Sequence, residues 1–482
     1  MLRRSFRVPI PYFFFFFAIT MRHVMRSTAF VALVASTAEG FSSTMSSANQ
    51  RRRASQPQRA AAAAATERKR RGLPLSPATL LARRRESTVL RSTVVEEAQT
   101  TGLESAGPSI LDKLLPDERF PGVVECPMTA FDHSPPVSVA SDRAKAPLGD
   151  DFAPEWVKGD VMAADATVEE ELAYFRGLKA DAKKLLHENG AIVLRGFDLM
   201  KTPDGFQAFY LALGMEPCDD PLQSVAARDA VDKDKGLYEA VNKESRSKYF
   251  VGMHNEQVGI RSPRRAAFVC FQAADEGGEF LLNDCRAMFR DLPQEMVEEL
   301  YEKQVRFIAA EIPLGFFEAM HPAVRRALEP PLLQFAEKMA KQKVDFDIDL
   351  VWDEDAEGKR CIHAIAPPQP PIVRHPETNE PVFFCNVHSH SDKLRQQREV
   401  RDGTVALSKT TGASRLNRTD IRFGDLTKLS DATLAAVDAL VMKNVKWVKM
   451  EHGDVVLLDN YVCQHGRNIF SGVRKHAVTW FK

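Results

Sequence analysis

The chain has 482 residues, 44% of them hydrophobic, with 65 basic and 65 acidic side chains. That is too apolar for a disordered protein and long enough for one large domain or two ordinary ones. Cut at Ser92 the charge splits: Met1 to Ser92 carries 17 basic and 3 acidic residues, leaving 48 basic and 62 acidic for the body. An acidic body argues against non-specific wrapping of nucleic acid, which needs a basic surface.

Residues 1–99 read as a targeting leader, largely disordered. The apolar runs Tyr12 to Ile19 and Ala29 to Val34 are both well short of the roughly 20 residues that span a bilayer. Each looks like the apolar stretch of a signal peptide, and Ser36-Thr37-Ala38 offers small residues for cleavage. From Phe41 to Ser92 the chain is rich in Ser, Ala and Arg, a transit-peptide composition that cannot bury a core. The two in series resemble the bipartite leader of proteins sent to complex plastids. The expectation is an organelle, a plastid, with a mitochondrion as the alternative, and no stable membrane insertion once the leader is removed. Met21 or Met25 as the true initiator is the competing reading.

Residues 100–156 are rich in Pro and Asp and read as an irregular approach segment. Residues 157–482 read as the catalytic domain. Thr167 and Glu170 form a capping box, Leu172, Phe175, Leu178, Ala182, Leu185 and Leu186 recur at helical spacing, and Gly190 stops the helix. A strand, Ala191 to Leu194, and an amphipathic helix bearing Phe206, Phe209 and Leu213 follow. Short β-rich runs come next: Tyr249 to Glu256, Ala266 to Gln272, Val382 to Val387, Asp454 to Asp459, and His476 to Phe481. Pro293 and the pair Ser430-Asp431 open helices, and a helical insertion is expected at about 288–375. The strands are too scattered for a doubly wound parallel sheet. The predicted fold is mixed α and β with a mainly β core, a double-stranded β-helix (jelly-roll, cupin-like) with flanking helices. Trp447, Trp480 and the phenylalanines are expected in the core. Seven cysteines stand singly with no Cys-x-x-Cys pair. They suit a reduced compartment, exclude an obvious zinc knuckle, and read mostly as small buried apolar residues.

Met253-His254-Asn255-Glu256 closes a predicted strand, so His254 and Glu256 share one face while Asn255 points away. A second histidine would complete two imidazoles and a carboxylate, a set that holds Fe(II) with three adjacent positions open. The best candidate is His465, after the apolar run Val455 to Leu458 and before a Gly-containing loop. Arg474 opens the final strand nearby, and a guanidinium there can grip a remote carboxylate through two parallel hydrogen bonds. The same ligands also suit zinc, though a hydrolase would leave Arg474 without a role. His388 and His390 share a predicted strand face and could compete for a metal, but a pocket or structural role is the expectation. Arg467 could orient substrate or be an exposed loop residue. His321, His363, His375 and His452 are read as structural, and Arg264-Arg265 as solvated.

The run Met253 to Glu256, then Ala267-Phe268-Val269-Cys270-Phe271-Gln272-Ala273-Ala274-Asp275-Glu276-Gly277-Gly278-Glu279, then Asp284-Cys285-Arg286, resembles the metal-binding segment of TauD/TfdA-like Fe(II)/2-oxoglutarate-dependent dioxygenases. The closing segment Gly453 to Asn460, with His465-Gly466-Arg467 through Arg474, is similar to the family's distal histidine and arginine motif. His375-Pro376-Glu377-Thr378 looks like the stretch between them. The resemblance covers about Ala191 to Lys482, with its blocks in family order. It implies His254, Glu256 and His465 as iron ligands and Arg474 as the residue holding the far carboxylate of 2-oxoglutarate. The implied chemistry uses O2 to decarboxylate 2-oxoglutarate to succinate and carbon dioxide while hydroxylating a small organic acid or amino-acid-like substrate. One departure stands out: the family usually has Thr after Gly277-Gly278-Glu279, and here Phe280 removes that hydroxyl. A non-catalytic or 2-oxoglutarate-independent iron-binding protein on the same scaffold is the rival reading. The sequence leaves oligomeric state and substrate identity open.

Overall fold

The computed structural model describes residues 109–128, 143, 151–221, 228–240, 242, 246–257, 261–313, 321–341, 348–354, 360–404 and 420–482. The expected leader at residues 1–99 lies outside them. Of the approach segment, the described part holds two short 3-10 turns, Ile110–Lys113 and Pro116–Glu118, and the strand Glu155–Val157.

The first helical pattern forms two helices rather than one. Val168–Gly177 starts on the predicted box, with Thr167 Oγ1 accepting from the Glu170 amide and the Glu170 carboxylate accepting from the Thr167 amide. Gly177, a poor helix former, ends it. Ala182–Asn189 then follows without a side-chain cap from Asp181, and Gly190 closes that helix at φ 72°. The helix Pro203–Ala212 follows, capped by Thr202.

These helices cover one face of an eight-stranded sheet. Its order is Glu155–Val157, Ala191–Arg195, Val455–Asp459, Arg265–Gln272, Lys475–Phe481, Leu237–Glu239 and Ala230–Asp232, with Pro217–Cys218 also paired to Lys475–Phe481. Strand alternation sorts the side chains. Ile192, Leu194, Val269, Val455 and Leu457 pack with Phe175, Phe206 and Phe209 of the helices. Val193, Phe268, Val456, Leu458 and Trp480 point the other way and share a core with Phe280, Leu282 and Cys463. Those last three belong to a four-stranded antiparallel sheet ordered Lys446–Val448, Phe280–Asp284, Cys463–Arg467 and Val251–His254. Its other face, carrying Met253 and Leu281, is covered by the helices Cys285–Asp291, Gln294–Lys303 and Asp431–Asn444. Two sheets therefore face each other across one core, with helices outside both.

The expected helical insertion at about 288–375 is mixed. Besides the helices Gln294–Lys303 and Pro322–Lys341 it holds the strands Val305–Pro313, Asp349–Glu354 and Arg360–Ile365, which join Asp420–Phe423 in a further four-stranded sheet. The outer strand arrives from far along the chain, so local periodicity does not announce the pairing. Trp447, expected in the core, is 45% exposed on an edge strand. All seven cysteines are buried and free. Among the described residues no helix is long and apolar enough to cross a membrane.

The turn leading into Phe280–Asp284 depends on Gly277, which has φ 65° and where a Cβ would stand 2.2 Å from the Ile469 carbonyl oxygen. Gly277→Ala is expected to destabilise the fold by more than about 1 kcal/mol. A denaturation midpoint equal to that of the wild type would contradict this turn geometry.

Candidate metal centre

The predicted triad comes together. His254 and His465 are register partners on adjacent antiparallel strands, their ring centroids are 4.4 Å apart, and His465 Nε2 lies 3.4 Å from Glu256 Oε1. One donor atom from each of His254, Glu256 and His465 falls within 4.8 Å of the others. His465 sits inside the strand Cys463–Arg467 rather than where a loop opens. Glu256 lies two residues past His254, where Val251–His254 ends. Its orientation therefore comes from something other than strand alternation.

Three side chains take the place of a neighbouring strand along this edge. His388 Nδ1 accepts from the Met253 amide at 2.8 Å. Asn386 pairs with the Asn255 backbone, accepting its N–H at 2.8 Å and donating to its carbonyl at 3.1 Å. Asn460 does the same for Glu256, at 2.8 and 2.9 Å, and its amide also reaches Ser262 Oγ and the Pro263 carbonyl. Asn460 is fully buried, so every polar atom it holds would otherwise lack water. Gln464 extends the amide network, donating to Asn255 Oδ1 and the Cys385 carbonyl.

His388 and His390 are not on a strand. They sit on the short helix Val387–His390, where the Asn386 side chain is engaged by Asn255 instead of capping its own helix. Because His388 Nδ1 accepts an amide, the proton is on Nε2, which faces Asp438 Oδ1 at 3.2 Å. That makes His388 a brace for the Val251–His254 strand.

A second cluster, His187, His375 and Asp459, also has metal-ligating atoms close together. Its hydrogen bonds identify a clamp instead. His375 Nδ1 accepts from the Glu377 and Thr378 amides, so Nε2 carries the proton and donates to Asp459 Oδ2 at 3.1 Å. Asp459 Oδ1 accepts from the Tyr461 and Val462 amides. The clamp fixes the turn on which Asn460 sits. Arg265, expected to be solvated, is 3% exposed and pairs with Glu377 of the same region.

The electrostatics suit a divalent cation. His254 Nδ1 donates to the Gly252 carbonyl at 2.9 Å, which leaves the Nε2 lone pair free for a metal. Burial, then the neighbouring His465, pushes His254 down to about 3, so it is neutral at ordinary pH. Burial raises Glu256, but Arg228 and the two histidines outweigh it and hold the carboxyl well below its usual range. Arg228 Nη2 reaches both Glu256 oxygens, at 2.9 and 3.0 Å, while its guanidinium lies 4.5 Å over the Trp480 ring. Nothing in the sequence marks Arg228, a single arginine between an alanine pair and an aspartate. His465 is set by packing: Phe280 stacks on it at 3° and 5.6 Å, Phe268 lies 4.7 Å away, and its buried Nδ1 has no hydrogen-bond partner among the described residues.

The triad opens onto a pocket lined also by Arg228, Phe268, Phe280, Arg467 and Arg474. Arg474 is 4% exposed, and its Nε has no partner among the described residues. Burial, then the charge of Arg467, pushes it down to about 9. Arg467 is 3% exposed, not a loop residue at the surface. The donor set and the buried, unneutralised guanidiniums fit an Fe(II) ion and an anionic chelator beside it.

Asn460→Ala removes both hydrogen bonds to the Glu256 backbone. It is expected to weaken Fe(II) binding roughly 10- to 100-fold, measured by metal titration of the folded protein. Wild-type affinity in that variant would show that Asn460 does not position the ligand.

Residues 147–480 match the family described as taurine catabolism dioxygenase TauD, TfdA family. The chain is 25% identical over 297 residues to a clavaminate synthase-like protein of Arabidopsis thaliana, covering 60% of this chain and 81% of that protein. It is 23% identical to the dapdiamide synthesis protein DdaC of Enterobacter agglomerans, covering 60% of this chain and 82% of that one. Among solved structures, the PvcB protein of Pseudomonas aeruginosa is similar at a TM-score of 0.37 and 11% identity, covering 69% of this chain and 87% of that one. With the family match spanning well over half of the sequence and enclosing His254, Glu256, His465 and Arg474, the chain belongs to the TauD/TfdA family of non-haem Fe(II)/2-oxoglutarate-dependent oxygenases.

Proposed function

We propose that this protein hydroxylates a small organic acid or amino-acid-like substrate, with succinate and carbon dioxide as co-products, on a double-stranded β-helix formed by its two facing sheets. The observation that carries this reading is the convergence of the triad and Arg474 on one cavity. When bound, Fe(II) with 2-oxoglutarate and O2 supplies the oxidising chemistry. The protein's own residues do the rest. His254 and His465 offer imidazole nitrogens, that of His254 neutral, and Arg228 keeps Glu256 ionised. Arg474 presents a buried cation to the far carboxylate of the co-substrate. Phe268 and Phe280 line the cavity and limit water around the metal position.

An acidic substrate is supported by the cavity's charge, since three guanidiniums face it against the single carboxylate of Glu256. The composition of residues 1–99 supports work inside an organelle, a plastid or alternatively a mitochondrion. Phe280 favours a second reading, in which iron binds but 2-oxoglutarate does not turn over, because phenylalanine cannot donate the hydrogen bond that Thr would.

Full-length protein given Fe(II), 2-oxoglutarate and O2 is expected to form succinate even without its prime substrate, at a slow uncoupled rate. His254→Ala and His465→Ala should each abolish both iron binding and succinate formation. Turnover that survives either substitution would overturn the assignment, and iron binding with no succinate under any condition would favour the second reading.

A further inference from the structure

Phe280 raises a specific question, which is how the co-substrate's distal carboxylate is held without the hydroxyl at that position. The strand register supplies an answer. Arg467 is the direct cross-strand partner of Phe280 and lies two residues after His465, so it shares the inward face with that ligand. Both Phe280 and Arg467 line the cavity.

The guanidinium of Arg467 is only partly used by the protein. Nη2 donates to the Arg246 and Tyr249 carbonyls at 2.8 and 3.1 Å, and Nη1 donates to the Asn468 carbonyl at 2.8 Å. Among the described residues, its Nε–H is buried without a partner. Arg474 shows the same pattern. Its Nη1 donates to the Ala240 carbonyl and Asn242 Oδ1, and its Nη2 to His476 Nδ1, leaving Nε–H buried and unpartnered among the described residues. Both guanidiniums lie over the Phe470 ring, at 4.8 and 5.8 Å. All of these partners are neutral, so two buried cations sit side by side, each with its Nε–H among the donors left over. A buried charge in that condition is costly until an anion joins it.

We propose that Arg467 is a second co-substrate-binding residue, and that its Nε–H, with that of Arg474, grips the distal carboxylate of 2-oxoglutarate in place of the hydroxyl missing at Phe280. The inference rests on the proposed function and concerns one end of its co-substrate. Pyruvate isolates that end, because it keeps the 2-oxo acid group and lacks the distal carboxylate.

The test is anaerobic calorimetry of the full-length, Fe(II)-loaded protein with 2-oxoglutarate and with pyruvate. Arg467→Gln is expected to weaken 2-oxoglutarate roughly 10- to 100-fold, the range of a hydrogen bond to a charged group. Pyruvate and Fe(II) affinity should change less than about twofold, and Phe280→Thr in the Arg467→Gln background should restore part of the loss. Unchanged 2-oxoglutarate affinity, or equal losses for both acids, would overturn the proposal. Arg467 also ties down the Arg246 and Tyr249 carbonyls, so Phe280→Thr alone provides an independent measurement. If Arg467 already supplies the donor, the new hydroxyl should gain less than about threefold, whereas a gain of tenfold or more would show the donor to be missing. Wild-type protein that binds neither acid would overturn the proposed function as well, which separates that failure from a failure of Arg467 alone.

Discussion

The pairing of Asn460 with the backbone of Glu256 is the contact on which the site depends. Glu256 lies past the end of its strand, so no ladder fixes its φ and ψ, yet its carboxylate must stay opposite two imidazoles. A side-chain amide that accepts one backbone hydrogen bond and donates another imitates a strand neighbour. Asn386 repeats the device one residue earlier, and His388 supplies a single bond at Met253. The clamp of His375 on Asp459 then holds the turn from which Asn460 reaches. Two buried histidines outside the triad thus serve the metal position through hydrogen bonds whose tautomers are set by the amides they accept.

The second organising feature is charge. Glu256 is the acid facing a cavity that also receives Arg228, Arg467 and Arg474. Fe(II) adds two further positive charges, so the loaded site strongly favours anions, a dianionic co-substrate among them. Arg228 links the two halves of this arrangement. It holds Glu256 ionised for the metal while stacked on Trp480. Aromatic packing from Phe268 and Phe280 orients His465, whose Nδ1 lacks the hydrogen bond that usually fixes a metal-bound imidazole.

Much of this was legible in the sequence because spacing and local pattern carry it. The His254-x-Glu256 spacing, the apolar run before His465, the position of Arg474 and the Thr167–Glu170 box each depend on residues close in the chain. The strands Arg265–Gln272, Val455–Asp459 and Lys475–Phe481 match their predicted runs within a residue. What escaped depends on contacts between distant segments. Asn460 stands in a motif, yet its partner lies 204 residues earlier. Arg228 is one arginine in a stretch without a motif until folding sets it on Trp480. His388 and His390 have strand spacing but occupy a helical turn, since two residues cannot distinguish period 2 from a single turn. The helical reading of residues 288–375 missed a sheet completed by Asp420–Phe423, which comes much later.

The account is tested most directly by an anaerobic titration of the full-length protein with Fe(II) and then 2-oxoglutarate, followed by visible absorption. Chelation of iron by the 2-oxo acid group produces a charge-transfer band, which requires His254, Glu256 and His465 to leave adjacent positions open. The expected result is a band that grows to saturation in the wild type and is absent from Arg474→Ala at the same concentration while iron stays bound. Iron bound at the triad with no band at any 2-oxoglutarate concentration would contradict the account.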